Sequence, residues 1–204
     1  MTALLALSGW QGAGKDVLGA AVLEGLGRPW RREAFGDEVI RVARTILEGG
    51  SPLATMPTDL RSLLEGAAPD IWSGHRSEKS RFALQSLGVW QRAVDPDVFV
   101  RSTRARVTAS MANGFSVLVP DLRTLREATV MREAGAVLVR VDVSRSVQNE
   151  RLAARGVRVG ASRHHELETE LDDWDGFDLR VENSGSSEAG TWKALTALRE
   201  FASA

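Results

Sequence analysis

ALLALSGWQGAGKDVLGAAVLEGL, residues 3–26, is the stretch on which the fold turns. Residues 3–7 form a short apolar run that breaks into GWQGAGKD at residues 9–16, and the amphipathic segment VLGAAVLEGL follows at residues 17–26. That order reads as strand, glycine-rich loop and helix. Gly9, Gly12, Gly14 and Lys15 fit the G-x-x-x-x-G-K core of the Walker A phosphate loop, with Ala13 a further small residue inside it. Glycines are needed because backbone N–H groups must converge on phosphate oxygens with no Cβ between, while the following helix turns its positive end toward them. Lys15 would then bridge the β- and γ-phosphates of a bound triphosphate. The plainer alternative is an ordinary strand-to-helix turn, which the lysine and its flanks oppose. Asp16 stands where the usual motif has Ser or Thr. A carboxylate beside phosphates is repelled unless Mg²⁺ lies near, so Asp16 is expected to help hold the metal, directly or through water. A loop that no longer binds nucleotide is the competing reading.

Outward from this stretch, a second short strand is expected near residues 32–35, and a helix from Asp37, whose carboxylate would cap it ahead of VIRVARTIL. Residues 53–76 are mixed, with Pro57, Pro69 and a helical-looking piece around 59–65. Helical patterns at 78–90 and 98–113 flank the DPD at residues 95–97. FSVLVPD, residues 115–121, reads as a buried parallel strand with a helix at 126–134 after it. AVLVRVDV, residues 136–143, is a further strand, and a short arginine-bearing helix at 147–155 leads into GVRVGASRHH at 156–165. DLRVEN, residues 178–183, is the last strand, with a closing helix near 188–201. Strands alternating with helices imply an α/β domain whose central parallel sheet, of about five strands, is covered on both faces.

Composition narrows the function by exclusion. A chain of 204 residues, 43% of them hydrophobic, can build one substantial core. Its 27 acidic and 26 basic residues nearly cancel, so no attraction to a nucleic acid polymer or an anionic membrane is expected. Cysteine is absent, which excludes disulfides, zinc–thiolate sites and thiolate nucleophiles. No apolar run approaches the length of a membrane span, and the chain reads as soluble and intracellular.

GKD in place of GKS or GKT, together with three later segments, resembles the bacteriophage-type deoxynucleoside monophosphate (dNMP) kinases, a branch of the P-loop kinases. FGDEVIR, residues 35–41, is similar to the Phe-Ala-Asp-x-x-Lys stretch that opens that family's acceptor-binding region, with Arg41 replacing the lysine. RFALQSLGVWQRAVDPDVFV, residues 81–100, looks like its Arg-x-x-Leu-Gln-x-Leu-Gly … Arg … Asp-Pro-Asp run. VPDLRTLREA, residues 119–128, is similar to its Asp-x-Arg-x-x-x-Glu-Ala segment, with Leu125 and Arg126 where Pro and Asn are more usual. HHELETELDDWDGFDLRVENSGS, residues 164–186, echoes the closing His … Glu … Asp … Asn-x-Gly-Ser pattern, without the expected serine before the glutamate.

The resemblance implies an NMP-kinase-like three-layer α/β sandwich: one P-loop kinase domain over residues 1–204, with a helical acceptor-binding insert at about 36–95 and an arginine-rich lid at about 146–168. It implies ATP and Mg²⁺, a dNMP acceptor, and a place in the cytoplasm, the host's if the chain is phage-encoded; whether it forms a homodimer stays open. Phe35, Asp37 and Arg41 would wall the acceptor pocket, Phe35 stacking on a base, while Arg81, Gln85 and Arg92 grip the acceptor's phosphate and base. Asp121, at the end of a buried strand, would orient Mg²⁺ or its waters, with Arg123 pointing the same way. Arg151 and Arg155 lie four apart on one helix face and, with Arg158 and Arg163, would close over the phosphates and neutralise charge on the transferred group. Asn183 would contact the donor adenine.

Each role has a plainer rival. Asp37 and Asp121 would cap helices, Arg81 and Arg92 would form surface salt bridges, the lid arginines would be a solvated face, and Asn183 would sit in an ordinary turn. Trp72, Trp90 and Trp174 are expected to be packing residues. His164 and His165 are adjacent, point apart and make a poor metal pair. The competing functions are a phosphomevalonate-like or dephospho-coenzyme-A-like kinase, a non-catalytic nucleotide-binding module, and a generic ATPase.

Overall fold

The computed structural model describes residues 2–25, 29–50, 56–75, 77–156, 170–185 and 196. The opening strand and helix are β1 (Leu4–Ser8) and α1 (Lys15–Gly25). There follow β2 (Trp30–Arg32), α2 (Phe35–Leu47), α3 (Thr58–Ser73), α4 (Glu78–Val94), α5 (Val98–Ala112), β3 (Ser116–Leu122), α6 (Leu125–Glu133), β4 (Val137–Asp142), α7 (Arg145–Ala154) and β5 (Leu179–Glu182). Arg158, Arg163, His164 and His165 lie outside the described residues, as does the closing helix expected near 188–201 apart from Thr196.

The five strands form one parallel sheet in the order β2-β3-β1-β4-β5. Leu5 pairs with Leu118 on one side and Val137 on the other, so β1 lies at the centre. Leu5, Leu7, Leu118, Val139 and Val141 pack with Leu18 and Val22 of α1. Their neighbours on the opposite pleat, Leu4, Ala6, Val117, Val119 and Leu138, are buried as well. Covering both faces is why these strands read as unbroken apolar runs. β2 begins two residues earlier than expected because Phe35 is already the first residue of α2.

The chain divides into two compact units, Met1–Glu33 with Arg104–Ala204, and Ala34–Thr103. The first holds the sheet. The second, which contains the insert expected at 36–95, is helical, and its core is Ala43 and Ile46 from α2, Leu60, Leu64, Ala67 and Ile71 from α3, and Ala83, Leu84 and Leu87 from α4. Steps of three and four residues put each set on one helix face. The region 53–76 that the sequence left unplaced is thus largely α3, which runs through Pro69. Between α4 and α5 the Asp95 carboxylate accepts the Asp97 N–H at 3.0 Å and an Arg101 guanidinium N–H at 3.1 Å, closing the turn at the DPD. The Arg101 guanidinium holds the Asp95 carboxyl below the usual carboxylate range. No described helix is long and apolar enough to cross a membrane.

Candidate active site

Gly9 has φ +145°, and a Cβ there would run into the backbone carbonyl of Val141; Gly14 has φ +94°, and a Cβ there would strike the Asn183 side-chain amide. Both positions require glycine for conformation and for space. Between them the loop carbonyls are taken one after another by side-chain donors. Lys15 Nζ donates to the carbonyl of Gly9 and, at 2.9 Å, to that of Trp10. Gln148 Nε2 donates to the Gln11 carbonyl at 2.8 Å, Arg151 Nη1 reaches the Gly12 and Ala13 carbonyls at 3.4 and 3.5 Å, and Asn183 Nδ2 donates to Ala13 at 2.7 Å. A trans peptide points its N–H away from its carbonyl, so fixing five consecutive carbonyls also fixes the direction of the amides that follow them. The Ala13 amide closes a turn on the Trp10 carbonyl at 3.0 Å. α1 begins at Lys15 and presents its positive end at the same place, which is the arrangement an anion requires.

Lys15, the three loop glycines, Ala13, Arg151 and Asn183 are therefore brought together. Asp16 is exposed in the first turn of α1. Leu122 pairs with Ser8, so β3 ends beside β1 and leaves the half-buried Asp121 at the loop's edge. Asp121 does not cap the next helix: Thr124 does, its hydroxyl accepting the Glu127 N–H at 3.2 Å while the Glu127 carboxylate accepts the N–H groups of Thr124 and Arg123 at 3.1 and 2.8 Å. The Arg123 side chain is exposed, and Arg155 is the exposed C-cap of α7. Asn183 is buried, not in an open turn; its N–H donates to the Asp142 carbonyl at 2.8 Å and its side chain braces the loop.

In the helical unit the candidates fall into separate groups on α2 and α4. Asp37 occupies the third position of α2, and its carboxylate turns back to the Ala34 N–H at 3.3 Å, so it serves the helix start from inside the first turn and not from the cap position. Asp37 and Arg41 line a hollow of about 430 Å³ on α2. Arg41 binds the buried Glu38 through two guanidinium nitrogens, Nε at 3.0 Å, and Ser102 donates to the same carboxylate at 2.6 Å. That contact raises the Arg41 guanidinium still further above its ordinary value. Phe35 is only 3% exposed, which leaves little of its ring for a base. Gln85 lines a different, mostly apolar hollow of about 510 Å³ between α3 and α4, beside the exposed Phe82 and Val89. Arg81 is exposed on α4, and the Arg92 guanidinium lies 4.5 Å from the centre of the Phe99 ring. Trp72, expected in a core, is 44% exposed with Arg44 over its ring.

Solved structures share this architecture, two of them as follows. A sugar kinase from Janibacter aligns with a TM-score of 0.52 at 16% identity, covering 97% of this chain and 95% of its own. TT1252 from Thermus thermophilus aligns at 0.53 and 20% identity, covering 97% and 96%. What they share with this chain is the fold, an α/β arrangement around a central five-stranded parallel sheet. No family model and no curated protein sequence matches the chain, so the likeness is one of fold.

Within this fold several residues escaped the sequence reading. Gln148 could have been noticed because it precedes Arg151 by three positions on one helix face. Glu38 carried no signal beyond its place beside Asp37. Arg140 was visible as the one basic residue inside AVLVRVDV. It is buried in β4, bonded to Ser8 Oγ at 3.1 Å and to Asp172 at 2.5 Å. Among the described residues no group of three or more carboxylates and histidines stands ready to hold a metal alone.

Proposed function

We propose that the protein is an ATP-dependent kinase that transfers the γ-phosphoryl group to a phosphate oxygen of a dNMP, giving ADP and the dNDP. The observation that carries this is the outward commitment of five successive loop carbonyls, Gly9 to Ala13, to donors on Lys15, Gln148, Arg151 and Asn183. A loop so held has its amide directions set before an anion arrives, which is the preorganisation that phosphate binding rewards. An acceptor phosphate oxygen attacks the γ-phosphorus in line, the bond to the β-phosphate's bridging oxygen breaks, and ADP leaves with the electron pair. Lys15 would exchange its carbonyl partners for phosphate oxygens, and Arg151 lies against the loop where it can meet charge on the transferred group. Carboxylate oxygens are the protein ligands Mg²⁺ prefers, so Asp16 and Asp121 would hold it together with phosphate oxygens; bound there, it would screen the triphosphate's charge. Asp37 and Arg41 would receive the acceptor.

A second reading, a kinase whose small-molecule acceptor is not a nucleotide, draws support from the burial of Phe35, which withdraws the ring expected to stack on a base. The fold likeness to a sugar kinase keeps that acceptor class in view.

The test is ADP release with ATP, Mg²⁺ and each dNMP in turn, run beside Lys15→Ala. Turnover with at least one dNMP is expected, falling by about three orders of magnitude or more in the variant, since a lost donor to the transferring group costs about 10²–10³-fold and a lost ion pair more. Turnover with phosphomevalonate or a sugar and with no dNMP would transfer the assignment to the second reading. Asp16→Ala should raise the Mg²⁺ concentration needed for half-maximal rate; superimposable titrations of variant and parent would remove Asp16 from the metal site.

A further inference from the structure

We infer that Arg140, Asp172 and Trp10 form a positioning unit that sets the entry of the phosphate loop. Ser8 and Trp10 flank Gly9, the residue whose positive φ turns the chain out of β1. Both are bound to one ion pair. Arg140 Nη1 donates to Ser8 Oγ at 3.1 Å, Arg140 Nη2 meets Asp172 Oδ1 at 2.5 Å, and Trp10 Nε1 donates to that same oxygen at 2.7 Å. The ring of contacts closes across Gly9 and leaves its two neighbours little freedom to change their separation. The Arg145 guanidinium lies over the Trp10 ring, 4.2 Å from its centroid.

A buried guanidinium with a carboxylate partner is seldom the most stable way to fill a sheet face, because desolvation offsets much of the attraction. What the pair adds is direction, since a guanidinium fork and a carboxylate accept few mutual orientations. The rival explanation is that Asp172 merely straps residues 170–178 to the sheet. That segment already has its own ties: Glu170 accepts the Leu125 N–H at 2.9 Å, Asp178 accepts the Leu138 N–H at 2.7 Å, and Arg132 donates to the Gly176 carbonyl. Among the described residues of that segment, Asp172 reaches the loop, through its bond from Trp10.

The inference rests on the nucleotide-binding reading only for its consequence in catalysis; its structural half can be measured without any ligand. Trp10→Phe removes the donor, keeps an aromatic ring and leaves the ion pair intact, and Asp172→Asn keeps an acceptor for Trp10 while removing the charge. Hydrogen–deuterium exchange of the amides at 9–16 is expected to quicken about tenfold in Trp10→Phe and less in Asp172→Asn, with β5 unchanged. The KM for ATP should rise about tenfold in Trp10→Phe while kcat stays within about twofold, the signature of a binding loop loosened before chemistry. Unchanged exchange at 9–16 overturns the inference, and so does faster exchange confined to 170–178. Faster loop exchange in a protein whose parent form binds no ATP would uphold the positioning unit and bring down the kinase reading instead.

Discussion

In the phosphate loop every carbonyl from Gly9 to Ala13 is met by a donor from the loop's own lysine, from α7 or from the chain after β5, whereas the acceptor-side candidates of the helical unit stand on the faces of α2 and α4. The loop offers backbone groups held by side chains; the helical unit offers side chains mounted on helices. Substitution should therefore act differently in the two regions. A backbone site fails when its conformation is lost, and it fails whole. A side-chain site loses one contact at a time and leaves its helix standing.

The sharpest way to break this comparison is Gly14→Ala. A Cβ there meets both an unfavourable φ of +94° and the Asn183 amide, so affinity for a fluorescent ATP analogue should fall by about 100-fold or more, with the helices' circular dichroism retained. Binding like the parent's would mean that the loop is not the cradle. Next in size is Glu38→Gln, which weakens the grip on Arg41 and Ser102. The acceptor KM should rise about tenfold with the nucleotide affinity unmoved, as a steady-state split of the two constants would reveal. A matching loss of ATP affinity would erase the distinction between the regions. The smallest effect belongs to Asp95→Asn. Because Arg101 lowers the folded carboxyl's pKa, its contribution is fully present above the unfolded value of about 3.9 and disappears as pH falls through the folded one. Thermal melts of variant and parent should differ slightly at neutral pH and converge in acid; a gap that persists in acid would assign the residue's role to its turn and not to its charge.

Most of the architecture was legible because its signals are local. Unbroken apolar runs marked the central strands, glycine spacing marked the loop, and the DPD marked the break between two helices. Other residues took their surroundings from the folded chain. Asp121 was given a rival role as a helix cap, but Thr124 and Glu127, three apart, satisfy the start of α6 between them. Asn183, expected to contact the donor adenine or to sit in a turn, is buried with its side-chain amide donating to the Ala13 carbonyl. Phe35 carried the right chemistry for stacking on a base, yet α2 starts on it and buries the ring.

What the sequence by itself determined was the strand–loop–helix at residues 3–26 and the α/β alternation behind it, since steric freedom at glycine and the periodicity of apolar residues act over a few neighbours. Which side chains hold that loop was decided only by tertiary structure. Gln148 and Arg151 come from 137 and 138 positions away from the carbonyls they meet, and Asn183 from 170. Contacts at such separations exist because parallel strands stack β1, β4 and β5 side by side, bringing their carboxyl ends together.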